Sequence, residues 1–165
     1  MAVTRTLQMS SELPDLRDLL LRLGPDDRAL RFGNAAIEAH CRRLAQAGDS
    51  VQVIGAYEDG ELIGAAEIWF EGGSPPPGCE VGIEVDEAWR GHRVGGELLG
   101  RAVLVAGNRR ARRLRLSCHA ENRLMQRLAR RFARDLRFDE DGAEADVVLP
   151  RPSSCSIRAE ATMDA

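Results

Sequence analysis

Between Cys79 and Gly100 the chain reads C-E-V-G-I-E-V-D-E-A-W-R-G-H-R-V-G-G-E-L-L-G, and this stretch limits the possible folds more than any other. Val81, Ile83 and Val85 alternate with Glu80, Gly82 and Glu84, which predicts a strand with one aliphatic face and one face carrying two carboxylates. A glycine-bracketed loop follows from Arg90 to Gly96, and then Leu98, Leu99, Ala102, Val103 and Ala106 recur at helical spacing. Strand, glycine loop and helix start in this order make an anion site. The free amides at the helix N-terminus, with about half a positive charge of macrodipole behind them, point at whatever occupies the loop. The glycines let a bulky phosphate approach the backbone.

Two common phosphate loops are excluded. A nucleoside-triphosphate loop needs a lysine after its last glycine, and the chain has no lysine anywhere. The dinucleotide pattern G-x-G-x-x-G fails because Gly91 is followed by His92 and Arg93 before Gly95. What stands at 90–95, R-G-H-R-V-G, resembles the acyl-CoA loop Gln/Arg-x-x-Gly-x-Gly/Ala of the GNAT superfamily of N-acetyltransferases, and the strand end Val85-Asp86-Glu87-Ala88-Trp89 before it is similar too. Arg93 stands where that family most often has glycine, and its side chain adds charge for a diphosphate. A second family-like element follows the strand-like run Leu114 to Cys118: E-N-R-L-M-Q-R-L at 121–128. The resemblance spans Val3 to Leu149 and is strongest from Glu80 to Phe132. The run L-x-P-D-D-R-x-L-R-F at 23–32 is also similar to the acetyltransferase domain of some bacterial protein-lysine acetyltransferases.

The resemblance implies one α/β (α+β) domain over residues 1–149, followed by a flexible tail over 150–165. Its sheet is expected to be mixed and mostly antiparallel, with about seven strands and about four helices in the order β-α-α-β-β-β-α-β-α-β-β, splayed between strands four and five. It implies acetyl-CoA as co-substrate, gripped by Ile83, Val85, Arg90, Gly91, His92, Arg93, Val94, Gly95, Gly96 and Asn122. Asn122 would contact the pantetheine arm, and it is equally a good helix N-cap. A main-chain amide near Val85 would polarise the thioester carbonyl.

Direct transfer to an amine needs a neutral nucleophile, yet an amine of pKa ~10.4 is deprotonated only about once in 2,500 molecules at pH 7. Glu80 occupies the position on the fourth strand where many relatives carry a base, and Glu84, four residues on, is the second candidate. Either could instead be a solvated carboxylate. The tyrosine acid of the family, about seven residues after the asparagine, is replaced by Ala129, which leaves Cys118, His119 or water to protonate the thiolate.

Composition separates the remaining classes. Residues 90–137 hold 14 arginines against Glu97, Glu121 and Asp135, a balance of +11, while the rest of the chain carries -14. The basic segment reads as a funnel for polyanionic CoA, as the outer faces of two helices, or as a nucleic-acid surface. Only Trp89, Phe132 and Phe138 lie in or beside it, too few for base stacking, which argues against nucleic acid. Four separated cysteines and three scattered histidines offer neither a disulfide framework nor metal-ligand spacing. With no long apolar run and no signal-peptide core, the expectation is a soluble cytoplasmic protein. Two functions survive: an acyl-CoA-dependent N-acetyltransferase acting on an amine acceptor in a ternary complex, or a catalytically weak acyl-CoA-binding regulatory module. Edge strands permit a homodimer.

The flanking elements are also readable. Val3 to Met9 alternates as a strand; Ser10 or Ser11 caps a helix through Leu16, Leu19, Leu20 and Leu23; a second helix runs through Ile37, His40, Cys41 and Leu44. Asp59-Gly60 marks a hairpin, and the proline-rich stretch 72–78 a loop. After Asn122, Leu124, Leu128, Phe132 and Leu136 mark the core face of a helix and Arg123, Arg127, Arg130 and Arg134 its wet face; two short strands about Asp141-Gly142 follow.

Overall fold

The computed structural model describes residues 2–32, 36–72, 77–133, 136–138 and 142–162. Its elements in chain order are β1 (Val3–Thr6), α1 (Met9–Arg22), α2 (Pro25–Phe32), α3 (Ile37–Gln46), β2 (Val51–Glu58), β3 (Glu61–Phe70), β4 (Gly78–Val85), α4 (Val94–Asn108), β5 (Arg113–Cys118), α5 (Arg123–Ala129), β6 (Leu136–Phe138), β7 (Ala143–Val148) and α6 (Ser154–Ala161). The strands form one seven-stranded sheet in the order β1-β2-β3-β4-β5-β7-β6. Every neighbouring pair is antiparallel except β4 and β5.

That parallel pair creates the site. Its ladder runs only from Gly78–Val81 against Arg113–Leu116, while β4 continues to Val85 paired with β3 alone. The sheet therefore opens from Gly82 onward, and the backbone edge of β4 faces a cleft.

Each sheet face has its own core. Leu16, Leu19 and Leu20 of α1, at i, i+3 and i+4, pack with Leu44 of α3 against Val53, Leu62 and Ala65. On the other face Leu98, Leu99 and Ala102 of α4 meet Ile63, Ala66, Ile68, Val81 and Leu114. Leu98 and Leu99 are fully buried, so truncating either to alanine costs about 2–5 kcal/mol. The hairpin turn holds Asp59 and Gly60 at φ +51° and +83°, the two positive dihedrals that a right-twisted two-residue hairpin needs.

Several boundaries differ from the sequence reading. The first strand stops at Thr6, and α1 starts at Met9, before both serines, because the Glu12 carboxylate reaches back to accept the Gln8 amide at 2.7 Å. An additional helix, α2, occupies the segment read as a lead-in: Pro25 supplies its first turn, Asp26 and Asp27 complement its N-terminus and Arg31 its C-terminus. It buries none of its residues. In α5 Leu124 is exposed and Gln126 buried, because the Gln126 amide donates to the Ala120 carbonyl at 2.7 Å; Leu128 and Phe132 pack on the core, joined there by Met125 and Ala129. Arg134, Asp141 and residues 73–76 of the proline-rich loop lie outside the described residues.

The flexible tail expected over 150–165 contains α6. Ser153 and Ser156 form a reciprocal capping box, and Asn108 at the end of α4 donates to the Ser156 carbonyl at 3.0 Å and to Glu160 at 2.6 Å. Prolines and serines here delimit and cap a docked helix.

Candidate active site

A cleft of about 1180 Å³ lies where the sheet opens, bounded by β4, the 90–96 loop, the ends of β5 and α5, and α2. Its first wall is the loop. Asp86 caps the turn after β4 by accepting the Ala88 amide at 3.1 Å, and Trp89 packs edge-on against His92 at 5.8 Å between ring centroids. His92 bonds the Arg90 carbonyl at 3.1 Å through Nδ1. Its ring is exposed and shapes the loop without lining the cleft.

Gly91 and Arg93 adopt φ +82° and +70°. The second value explains the family preference for glycine at this position, since an L-residue there carries a cost of about 1 kcal/mol. The turn brings the amides of Gly91, Arg93, Val94 and Gly95 to the α4 N-terminus. None of the four meets a protein acceptor among the described residues, whereas the Gly96 and Glu97 amides return to the Arg93 carbonyl. Free donors on a helix dipole, ringed by the guanidiniums of Arg90, Arg93, Arg127 and Arg131, suit a pyrophosphate. Arg131 lies over Gly96, close enough that a Cβ there would sit 3.1 Å from it.

The second wall is β4. Ile83 and Val85 pack their side chains on the α4 core and leave backbone to the cleft, while the Val94 side chain is buried beneath the loop. Asn122 lines the cleft and caps α5, accepting the Met125 amide at 3.0 Å. Across the opening, Cys118 also lines the cleft, with burial pushing its thiol pKa up. His119 is exposed and outside the lining. Ala129 is buried, and Tyr57 is engaged elsewhere, donating to Glu12 at 3.0 Å.

The acidic residues divide sharply. Glu80 is exposed at the cleft and accepts a hydrogen bond from Ser117 Oγ of β5. Glu84 is buried and bonded to Arg31 of α2. Burial pushes its pKa up to about 7, against the pull of Arg31 and with the push of Glu67. Glu67 of β3 is also buried; although desolvation opposes it, His40 at 2.7 Å, Arg31 at 3.2 Å and the Trp69 indole at 3.2 Å hold its pKa below the usual value. Sequence reasoning missed Glu67, His40, Trp69 and the role of Arg31. A signal existed: Glu67 interrupts the apolar run L-I-G-A-A-E-I-W-F at 62–70, where an acid buried on both faces requires partners.

A profile of the acetyltransferase (GNAT) family matches residues 14–133. The chain belongs to the GNAT acetyltransferase family. A search of curated proteins finds no match. Among solved structures, the GNAT domain of S. lividans PAT is similar over 90% of each chain, with TM-score 0.76 and 16% identity. The ribosomal-protein-alanine N-acetyltransferase of Brucella melitensis matches 89% of this chain and 99% of its own, with TM-score 0.67 and 17% identity. The PaiA N-acetyltransferase of Thermoplasma acidophilum, solved in complex with coenzyme A, matches 90% of this chain and 99% of its own, with TM-score 0.66 and 16% identity. These likenesses establish the GNAT fold, including the parallel β4–β5 pair and its opening. Among the described residues no helix is long and apolar enough to cross a membrane.

Proposed function

We propose that this GNAT protein transfers an acetyl group from acetyl-CoA to an amine, either a small amine or a protein lysine, by direct attack within a ternary complex. The observation that carries the reading is the set of unpaired amides at Gly91, Arg93, Val94 and Gly95, facing a cleft between separated strands. The CoA pyrophosphate would accept from them, with Arg90, Arg93, Arg127 and Arg131 supplying countercharge. Backbone at Ile83 and Val85 and the side chain of Asn122 would hold the pantetheine, with Gly96 leaving room beneath Arg131.

Glu80 is the favoured base. It is an exposed cleft carboxylate on β4, beside the opening of the sheet, and Ser117 orients it; Glu144 of β7 is a further exposed acid of the lining, and Glu84 stays a second candidate beneath Arg31. In the reaction the acceptor nitrogen bonds the carbonyl carbon, the C–S bond breaks, and the nitrogen's proton passes to the carboxylate. The departing thiolate takes its proton from water, from Cys118 of the lining, or from His119 next to it at the exposed rim. A thiol pKa of about 8.5 makes the leaving group adequate without a tyrosine acid.

The replacement of that acid by buried Ala129 favours a second reading, an acyl-CoA-binding module with little turnover. Calorimetric titration with acetyl-CoA, paired with a CoA-release assay across amines and lysine peptides, tests both. Saturable heat with turnover supports transfer; heat without turnover on any acceptor supports the module; no heat from a folded protein overturns both.

A further inference from the structure

Three carboxylates surround one bare stretch of backbone on the α2 side of the sheet. Glu80 and Glu84 flank Gly82 along β4, and Glu67 lies opposite Gly82 across the β3–β4 ladder. The Arg31 guanidinium lies directly on Gly82: a Cβ at that position would sit 1.9 Å from its terminal nitrogen. The glycine thus keeps open a space that a cation fills.

Two features set this apart from an ordinary buried ion pair. First, Glu67 is hydrogen-bonded without Arg31, one oxygen to His40 and the other to Trp69, so its position does not depend on the arginine. Glu84, a lining residue of the cleft, is left with a surplus: Oε1 bonds Arg31, while the buried Oε2 has no partner among the described residues. Second, Arg31 arrives on a helix that buries none of its residues. Besides Arg31, α2 is tied to this region by one ion pair, Asp27 to Arg90 at 2.5 Å, and by Phe32 at its last turn, whose ring lies 4.8 Å from that of His40. Phe32 can hold the end of the helix while the long Arg31 side chain swings away, and the carboxylates beneath it would then be uncompensated.

We propose that the bare backbone at Gly82, walled by Glu67, Glu80 and Glu84, is a binding seat for an organic monocation, and that Arg31 occupies it until an acceptor bearing an ammonium or guanidinium group displaces it. The identification of the displacing molecule as the acceptor rests on the acyl-transfer reading; the seat itself does not. The acceptor class is narrowed accordingly to molecules carrying a fixed cation, and neutral amides or alcohols of the same shape are rejected because they leave the carboxylates unpaired.

The test measures binding without acetyl-CoA. Arg31→Ala empties the seat, so propylguanidinium should bind this variant at least tenfold more tightly than the unaltered protein by calorimetry, and the uncharged analogue propylurea should show no such gain. Equal binding of propylguanidinium to both proteins, or an equal gain for propylurea, overturns the proposal. Should Arg31→Ala fail to fold, the unaltered protein is titrated with 1,5-diaminopentane while the Arg31 Nε–H resonance is followed by NMR. Displacement moves that resonance to the position and water-exchange rate of an exposed guanidinium, and an unmoved resonance at saturating diamine overturns the seat. Acetyl-CoA that gives no heat while propylguanidinium still selects Arg31→Ala would remove the transfer reading and leave the seat standing.

Discussion

Asp27 of α2 accepts a hydrogen bond at 2.5 Å from Arg90 of the glycine loop, 63 residues later in the chain. One helix therefore touches both halves of the cleft, since Arg31, a single turn beyond Asp27, meets Glu84. Asp27 also competes with any anion that Arg90 could serve. Replacing Asp27 by asparagine should tighten acetyl-CoA binding about two- to fivefold, the size expected when a part-buried ion pair worth up to about 1 kcal/mol no longer competes. Calorimetry at two salt concentrations checks it. A weaker Kd in Asp27→Asn would mean that Asp27 instead holds Arg90 in its binding pose.

Cofactor grip and proton removal should be separable by mutation. A Cβ on Gly95 would meet Leu128 at 3.6 Å and Val85 at 3.7 Å, ordinary contacts, so Gly95→Ala can fold and Gly95→Val chiefly fills the anion site. Gly95→Val should raise the acetyl-CoA Kd by about tenfold or more, equivalent to roughly 1.4 kcal/mol. Glu80→Gln should leave Kd unchanged and lower kcat by about 10²-fold, the lower range for a positioned base. Equal losses of affinity in the two variants would contradict this division of roles.

What the sequence disclosed follows from how local each signal is. The Cys79–Gly100 stretch carries its strand, turn and helix within one window, so β4, the loop and α4 are legible from it, as is the hairpin at Asp59-Gly60. Asn122 is legible as a cap for the same reason. Arg31 was not, because its meaning depends on Gly82, 51 positions away, leaving room for a guanidinium. Trp69 stands two residues from Glu67 on the same strand, but Glu67 needed His40 as well to become interpretable, and that partner is joined only by folding β3 beneath α3. The α6 cap was written locally, in Ser153 and Ser156, but the helix is held by Asn108, across the fold.

At the opposite end of the sheet, Glu12 should govern acid stability. Its carboxylate accepts from Arg5 at 2.9 Å, from the Gln8 amide at 2.7 Å and from Tyr57 at 3.0 Å, with Arg5 the largest influence in holding its pKa down to about 2. A lowered folded-state pKa contributes stability above the unfolded value, near 4.5, and that contribution is lost as pH falls toward 2. Discounted for partial solvent screening, it amounts to about 1–2 kcal/mol. Urea denaturation of Glu12→Gln from pH 6 to pH 2 should show a correspondingly shallower fall in stability than the unaltered protein, and parallel curves would contradict the assignment.

The buried Glu67–Glu84 pair should act with the opposite sign. With two carboxylates beside one guanidinium, the pair takes up its charges in two steps, and burial keeps the second, at Glu84, protonated up to about pH 7. The unfolded chain releases that proton near 4.5, so between 4.5 and 7 the folded state binds more protons and stability falls as pH rises, levelling off above 7. Glu84→Gln keeps the shape and removes the titration. Its stability relative to the unaltered protein should therefore improve by about 1–3 kcal/mol between pH 4.5 and pH 8, read from urea midpoints across the range. A difference that stays constant with pH would mean that Arg31 keeps both carboxylates ionised throughout.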